Sequence, residues 1–485
     1  MKKTKKIMFC TVIVCLVILF MTLYSRKLLN TEYILIKLYG NPIGEDGTIN
    51  NEYFGIKCGE NNINAKINLN GINKAIEYAS NKEITEIKLK KGKYIIDSQK
   101  DEEKYHYQEK GIMLKTNVRL NLNGSTIKHI SNNRNSYTLI SILNVENASI
   151  FNGTLEGDRD DHIFENPSQQ YGHGIDLAGG KTIEIYNLEV KNMIGDGIYI
   201  TNFNNEKKKK GEAQNIKIFN CNIYNCRRQG ITIINGENIE IYQNEIHNIE
   251  GTAPQSCIDL ETGNKEYTIK NIKIYENKLY SAKSNNAIIA SKNTYQLDIV
   301  NNQIEGKIRT YNAENEINIL NNYIKNGGIV GVLSEENINI ENYYVKKIKI
   351  EGNELENSYI SLGRLNNAKI FDNKIKNGYI EVANMNSAIF NNKLMNDDTN
   401  IKYGCIIKRD DNENTKKYNV YLIDNEYYGK LEENVKNNGN DNIIINYDKN
   451  KMLEYIELLE NLWIFITFLL QLLNFFSLFY IIYMR

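Results

Sequence analysis

The chain has 485 residues, and its 59 basic side chains match its 59 acidic ones. Zero net charge lacks the basic excess of a nucleic-acid binder, and only three prolines exclude a proline-rich linker. Asparagine is the outlier at 76 residues, where leucine, alanine and glycine ordinarily lead.

In chain order, Lys2, Lys3, Lys5 and Lys6 come first, followed by an apolar run over 7–24. The run is long enough to span a bilayer, and no small-residue cleavage site follows it. Residues 1–29 are therefore expected to be a signal-anchor transmembrane helix, and 30–60 a linker and opening loop. The stretch NLNGINKAIEYAS over 68–80 has apolar residues at helical spacing. It predicts an N-terminal capping helix, because an uncovered strand edge aggregates. Residues 61–450 read as the main domain. Residues 451–485 read as a juxtamembrane helix and a second apolar span over 462–484. The N-terminal lysines place both termini in the cytoplasm and the domain between the spans outside. Cys58, Cys221, Cys226, Cys257 and Cys405 are expected to be buried thiols with at most one disulfide.

Within the domain one phrase recurs. It reads IEIYNLEV (183–190), IKIFNCNI (216–223), IEIYQNEI (239–246), IKIYENKL (272–279), LDIVNNQI (297–304), INILNNYI (317–324), IKIEGNEL (348–355), AKIFDNKI (368–375) and SAIFNNKL (387–394), and VYLIDNEY (420–427) closes it. The spacing of about 19 to 35 residues is that of stacked repeats. Alternation is period two, so each phrase is a short strand with one isoleucine face. Strands stacked coil on coil, without intervening helices, predict an all-β parallel β-helix solenoid. Asn244, Asn277, Asn302, Asn322, Asn353, Asn373, Asn392 and Asn425 fall in one column, where stacked amides can donate and accept along the stack.

The opening YFGIKCGENN…GINKAIEYAS…IKLKKGKYII resembles the pectin-lyase-like right-handed β-helix superfamily, over about residues 43–430. That resemblance implies polysaccharide chemistry of the polygalacturonase, polysaccharide lyase, C5-epimerase or tailspike kind. One fold hosts many chemistries, so it implies no single reaction.

One block, 157–263, stands out. Successive coils read GHGID, GDGIY, RRQGIT and PQSCIDLE. Aligned on Ile175, Ile198, Ile231 and Ile258, the residues Asp176, Tyr199, Thr232 and Asp259 form one outward column. His173, Asp196, Gln229 and Ser256 form a second, and Glu261 lies two residues beyond Asp259. Asp176 and Asp259 are three coils, roughly 14 Å, apart, too far for a glycosidase pair. Asp176 with Asp196, or Asp259 with Glu261, are the possible couples. Arg227 or Arg228 could fork onto a substrate carboxylate, and His173 or Tyr199 could move protons. The expected catalytic set is Asp176, Asp196, Arg228, Asp259, Glu261 and His173, with Tyr171, Tyr199, Arg227 and Gln229 binding substrate. Polygalacturonases carry NTD, a double-Asp element, GHG and RIK; here GHGID precedes a single-Asp GDGI and RRQG replaces RIK, so their roles do not transfer. Gly172, Gly174, Gly195, Gly197 and Gly230 read as turn residues. A lysine run over 207–210 could hold a polyanion.

The expectation is a membrane-anchored, extracytoplasmic protein that binds and modifies an acidic polysaccharide by lysis, C5-epimerisation or hydrolysis. No cofactor is required. Calcium is the one candidate, with Asp158, Asp160 and Asp161 as possible ligands. A non-catalytic glycan-binding or surface-polysaccharide assembly protein, or a structural rod or adhesin, is the alternative.

Overall fold

The computed structural model describes residues 21, 31–99, 109–204, 210–263, 266–311, 316–332, 347–363, 367–383, 385–398, 400–408, 419–438 and 443–447. The expected spans over 7–24 and 462–484 lie outside these residues, save Met21, as does most of the lysine run. Among the described residues no helix is long and apolar enough to cross a membrane.

The chain divides into two compact units, Met1–Ile269 with Ser281–Ser284, and Lys270–Tyr280 with Asn285–Arg485. In the first unit every coil visits three faces. The first face stacks Ser136–Leu143, Tyr171–Ala178, Ile198–Thr201, Gln229–Ile233 and Ser256–Leu260 in parallel. The second and third faces share long bent strands, such as Glu146–Glu156 and Lys181–Lys191. The two pair with each other, and Lys181–Lys191 pairs in turn with Gln214–Phe219 on one face and Asn222–Tyr224 on the other.

Register follows the isoleucines. Ile183, Ile216 and Ile239 are Cα partners, as are Ile185, Ile218 and Ile241, and all six are fully buried. Each such side chain contributes about 1.5–3 kcal/mol by leaving water, and a one-residue slip would turn the whole set outward. The helix Ala65–Asn81 covers the stack, a little longer than its pattern suggested, burying Leu69, Ile72, Ala75, Ile76 and Ala79. Its buried Asn68 accepts from the Lys57 N–H (2.7 Å) and donates to Ile95 O (3.0 Å), pinning the cap to the strand Lys93–Ile96.

The asparagine column holds in the second unit. From Asn277 through Asn302, Asn322, Asn353, Asn373 and Asn392 to Asn425, each amide Nδ2 donates to the next Oδ1 at 2.9–3.0 Å. In the first unit Cys221 occupies the equivalent place, and its N–H donates to Asn244 Oδ1 (3.0 Å). A second asparagine role went unread in the sequence. Asn152, Asn187, Asn220, Asn301, Asn321 and Asn391 hold φ between 51° and 61°. They turn the chain at the corner where asparagine, after glycine, best tolerates a left-handed backbone.

All five cysteines outside the expected first span are free. Four are buried, whereas Cys58, expected inside, is exposed. Burial pushes the thiols of Cys221, Cys226 and Cys405 up to about 12, so they are inert packing groups.

Candidate active site

The outstanding block folds within the first unit. The register makes Asp176, Tyr199, Thr232 and Asp259 successive Cα partners, as the sequence column predicted. Gly197 and Gly230 allow this stacking. A Cβ on Gly197 would lie 2.7 Å from Gly230 O, and one on Gly230 2.5 Å from Cys257 O. They serve close approach of the coils rather than the expected turns.

One expectation is corrected. The columns point away from the isoleucine core but are not solvated: Asp176, Asp196, Asp259 and His173 are at most 2% exposed. Arg228 is paired with one of them. Its guanidinium bridges Asp196 Oδ2 (3.0 Å) and Glu261 Oε2 (3.2 Å). Thr232 Oγ1 adds a 2.9 Å bond to the same Asp196 oxygen. Burial raises the proton affinity of Asp196 against the pull of Arg228 and Thr232. Burial works against the charge of Arg228, but Asp196, Glu261 and Asp259 hold that charge more firmly than usual.

Asp259 behaves differently. Burial first, and the neighbouring Glu261 second, push its carboxyl up to about 7. Glu261, with 45% of its side chain exposed, is the solvated member of the pair. The two carboxyls thus stand in unlike environments, one buried and one half exposed and paired with a cation, and such environments push proton affinities apart.

His173 stacks on Tyr199 with ring centroids 4.8 Å apart and planes 4° off parallel. The Asp196 N–H donates to its Nδ1 (3.1 Å). That nitrogen is therefore unprotonated, and its 3.9 Å approach to Asp196 Oδ2 is a contact rather than an ion pair. Tyr199 is held in its phenol form by burial and by Asp176 and Asp196. Tyr171 stands 43% exposed at the head of its strand.

Two other expected substrate contacts are corrected. Arg227 donates to Gln169 O (2.6 Å) and Pro167 O (3.1 Å) and lies 4.6 Å from the centre of the Phe164 ring. It staples the insert that follows Gly157 onto the coil. Gln229 is fully buried and donates to Asp259 Oδ2. The proposed calcium ligands do not gather either. Asp158 accepts from His162 Nδ1 (2.8 Å) and Asn132 Nδ2 (2.9 Å), and Asp161 lies 3.4 Å from Lys128. Among the described residues no three histidine, cysteine or carboxylate side chains could hold a metal ion. Thr232 and Ser256 were visible in the columns but received no role from the sequence.

A separate depression of about 780 Å³ lies in the second unit, lined by Lys347, Lys349, Lys369, Phe371, Phe390 and Tyr421. The rings of Phe371 and Phe390 stack face to face at 4.6 Å. The depression has no counterpart of the Asp259–Glu261 pair among its lining residues.

Parallel coils of three faces, an in-register isoleucine core and an asparagine ladder define a β-helix protein. The chain belongs to the right-handed β-helix family: the model described as "Right handed beta helix region" matches residues 78–274 and 173–342, together more than half of the sequence. The SPbeta prophage-derived uncharacterized protein YorA of Bacillus subtilis (strain 168) is 29% identical over 137 residues, 27% of this chain and 23% of that protein. The uncharacterized protein YclG of the same organism is 25% identical over 136 residues, with the same shares. The chain thus matches less than a quarter of the length of each relative. Among solved structures, the mannuronan C-5 epimerase AlgE4 A-module of Azotobacter vinelandii is similar with a TM-score of 0.49 at 15% identity, over 81% of this chain and 99% of that one. The hyperthermoactive exopolygalacturonase of Thermotoga maritima is similar with a TM-score of 0.42 at 11% identity, over 81% and 92%.

Proposed function

We propose that the chain hydrolyses a polysaccharide, with Asp259 as proton donor and Glu261 as the base that activates water. The observation that carries this reading is the divided pair: a buried carboxyl pushed up to about 7, two residues from a half-solvated carboxylate paired with Arg228. Asp259 gives its proton to the glycosidic oxygen as the C1–O bond breaks. Water attacks C1, and its proton passes to Glu261. Arg228, anchored by Asp196, which Thr232 holds in turn, positions Glu261, and Tyr171 and Tyr199 face the sugar. The pectin-lyase-like resemblance supplies the substrate class.

Hydrolysis is favoured over β-elimination and C5-epimerisation because a uronate needs its carboxylate neutralised. The guanidiniums of Arg227 and Arg228 are already engaged. One observation favours a second reading, non-catalytic glycan binding: Asp196 and Asp259 are 0% and 2% exposed, which leaves their carboxyls little surface to offer a substrate. The apolar runs over 7–24 and 462–484 support a membrane-anchored protein with the β-helix outside the cytoplasm.

The test incubates the full chain and an Asp259→Asn variant with neutral and acidic polysaccharides, following new reducing ends. Reducing ends formed by the wild type and lost in the variant support hydrolysis. Binding without products, equal in both, supports the second reading.

A further inference from the structure

We propose that Ser256 and Gln229 are positioning residues for Asp259, a buried relay that fixes the carboxyl so that its proton sits on Oδ1. This rests on the reading of Asp259 as proton donor. Gln229 and Ser256 are Cα partners on adjacent coils, and both are fully buried. A backbone N–H can only donate, so the Gln229 atom 3.4 Å from the Ser256 nitrogen is the amide oxygen. The Ser256 hydroxyl donates to the same oxygen. The amide nitrogen must then face the other way, where it meets Asp259 Oδ2. An amide N–H also only donates, so Oδ2 is held as an acceptor. Asp259 Oδ1 is buried with no hydrogen-bond partner among the described residues, and it is the oxygen left to carry the proton. An unpartnered buried carboxyl oxygen is costly as an anion and cheaper when protonated.

The charged groups that act on Asp259 are Glu261 on the exit of its own strand, Arg228 from the preceding coil and Asp196 from the coil before that. Glu261 and Asp196 favour the proton, whereas Arg228 and the Gln229 amide oppose it. Removing the Gln229 donor therefore strengthens the hold of Asp259 on its proton. Removing only the Ser256 hydroxyl does so less, because the Ser256 N–H still orients the amide.

The test is a carbon-13 NMR titration of aspartate carboxyls in the full chain, with the Asp259 signal identified by its loss in Asp259→Asn. Gln229→Met is expected to bind the Asp259 proton about tenfold more tightly, about one pH unit on the titration midpoint. Ser256→Ala is expected to shift it in the same direction by less. An unchanged or lowered midpoint in Gln229→Met overturns the relay. Should Gln229→Met not fold by circular dichroism, Ser256→Ala carries the test, and no rise in its midpoint overturns it. The alkaline limb of the hydrolysis rate is expected to move upward with the midpoint. If the midpoints move while the wild type forms no reducing ends, the relay stands and the hydrolytic reading falls.

Discussion

Asn321 and Asn322 are neighbours with opposite duties, and glycine separates them. Asn321 is exposed and turns the corner at φ 55°. Glycine adopts that conformation freely, so Asn321→Gly should change stability by no more than about 0.5 kcal/mol, whereas Asn321→Ala should cost about 1 kcal/mol. Asn322 is 1% exposed. Its Oδ1 accepts from Asn302 N (2.9 Å), and its Nδ2 reaches Ile299 O (2.8 Å) and Asn353 Oδ1 (3.0 Å). Asn322→Gly strands the buried Asn302 N–H, at about 1–3 kcal/mol, and adds the backbone entropy of glycine, about 0.5–1 kcal/mol. With the lost donors the total should be about 3 kcal/mol. Urea unfolding, followed in parallel by circular dichroism and tyrosine fluorescence, reads the difference. Equal tolerance of glycine at both positions would refute the ladder, and equal cost at both would refute the corner.

Asp259 holds its proton more tightly folded than unfolded, with a folded value of about 7 against 3.8. Its ionisation therefore erodes stability as pH rises from about 4 to 7. Asp259→Asn should lose activity yet gain stability at pH 8 relative to pH 4, read by thermal melting at the two pH values. His129 has the opposite sign. Burial pushes its imidazole down to about 4, so its contribution is present above pH 6.5 and is lost as pH falls toward 4; His129→Gln should flatten that part of the stability profile. Arg228→Met should cost about 3–5 kcal/mol by leaving the buried Asp196 unpaired, and double substitution with Asp196→Asn should recover much of the loss. Arg227→Ala should free the insert after Gly157, so limited proteolysis should cut there faster while the remaining coils stay resistant.

The fold was legible because β-helix physics is periodic. Isoleucines such as Ile183, Ile216 and Ile239 recur at one register, and the inward asparagine column follows them. The corner asparagines hid in the same phrases, one place earlier. A left-handed backbone leaves no hydrophobic signature, and the overall asparagine excess masked it. In the site, alternation named the right columns but not their exposure. The setting of Asp259 includes the bridge from Arg228 to Glu261 on the neighbouring coil, a contact between residues 33 apart that no local pattern announces. The roles of Arg227 and Gln229 failed for the same reason. Each side chain had a partner from a distant part of the chain: the Gln169 and Pro167 carbonyls for Arg227, Asp259 for Gln229.

The most direct test of the central claim is product analysis after digestion of a polysaccharide panel in ¹⁸O-labelled water. Hydrolysis predicts one label in each new reducing end, no unsaturated ends and no proton exchange at C5, with the label lost in Asp259→Asn. Unsaturated ends or C5 exchange, or labelled ends that persist in Asp259→Asn, would contradict it.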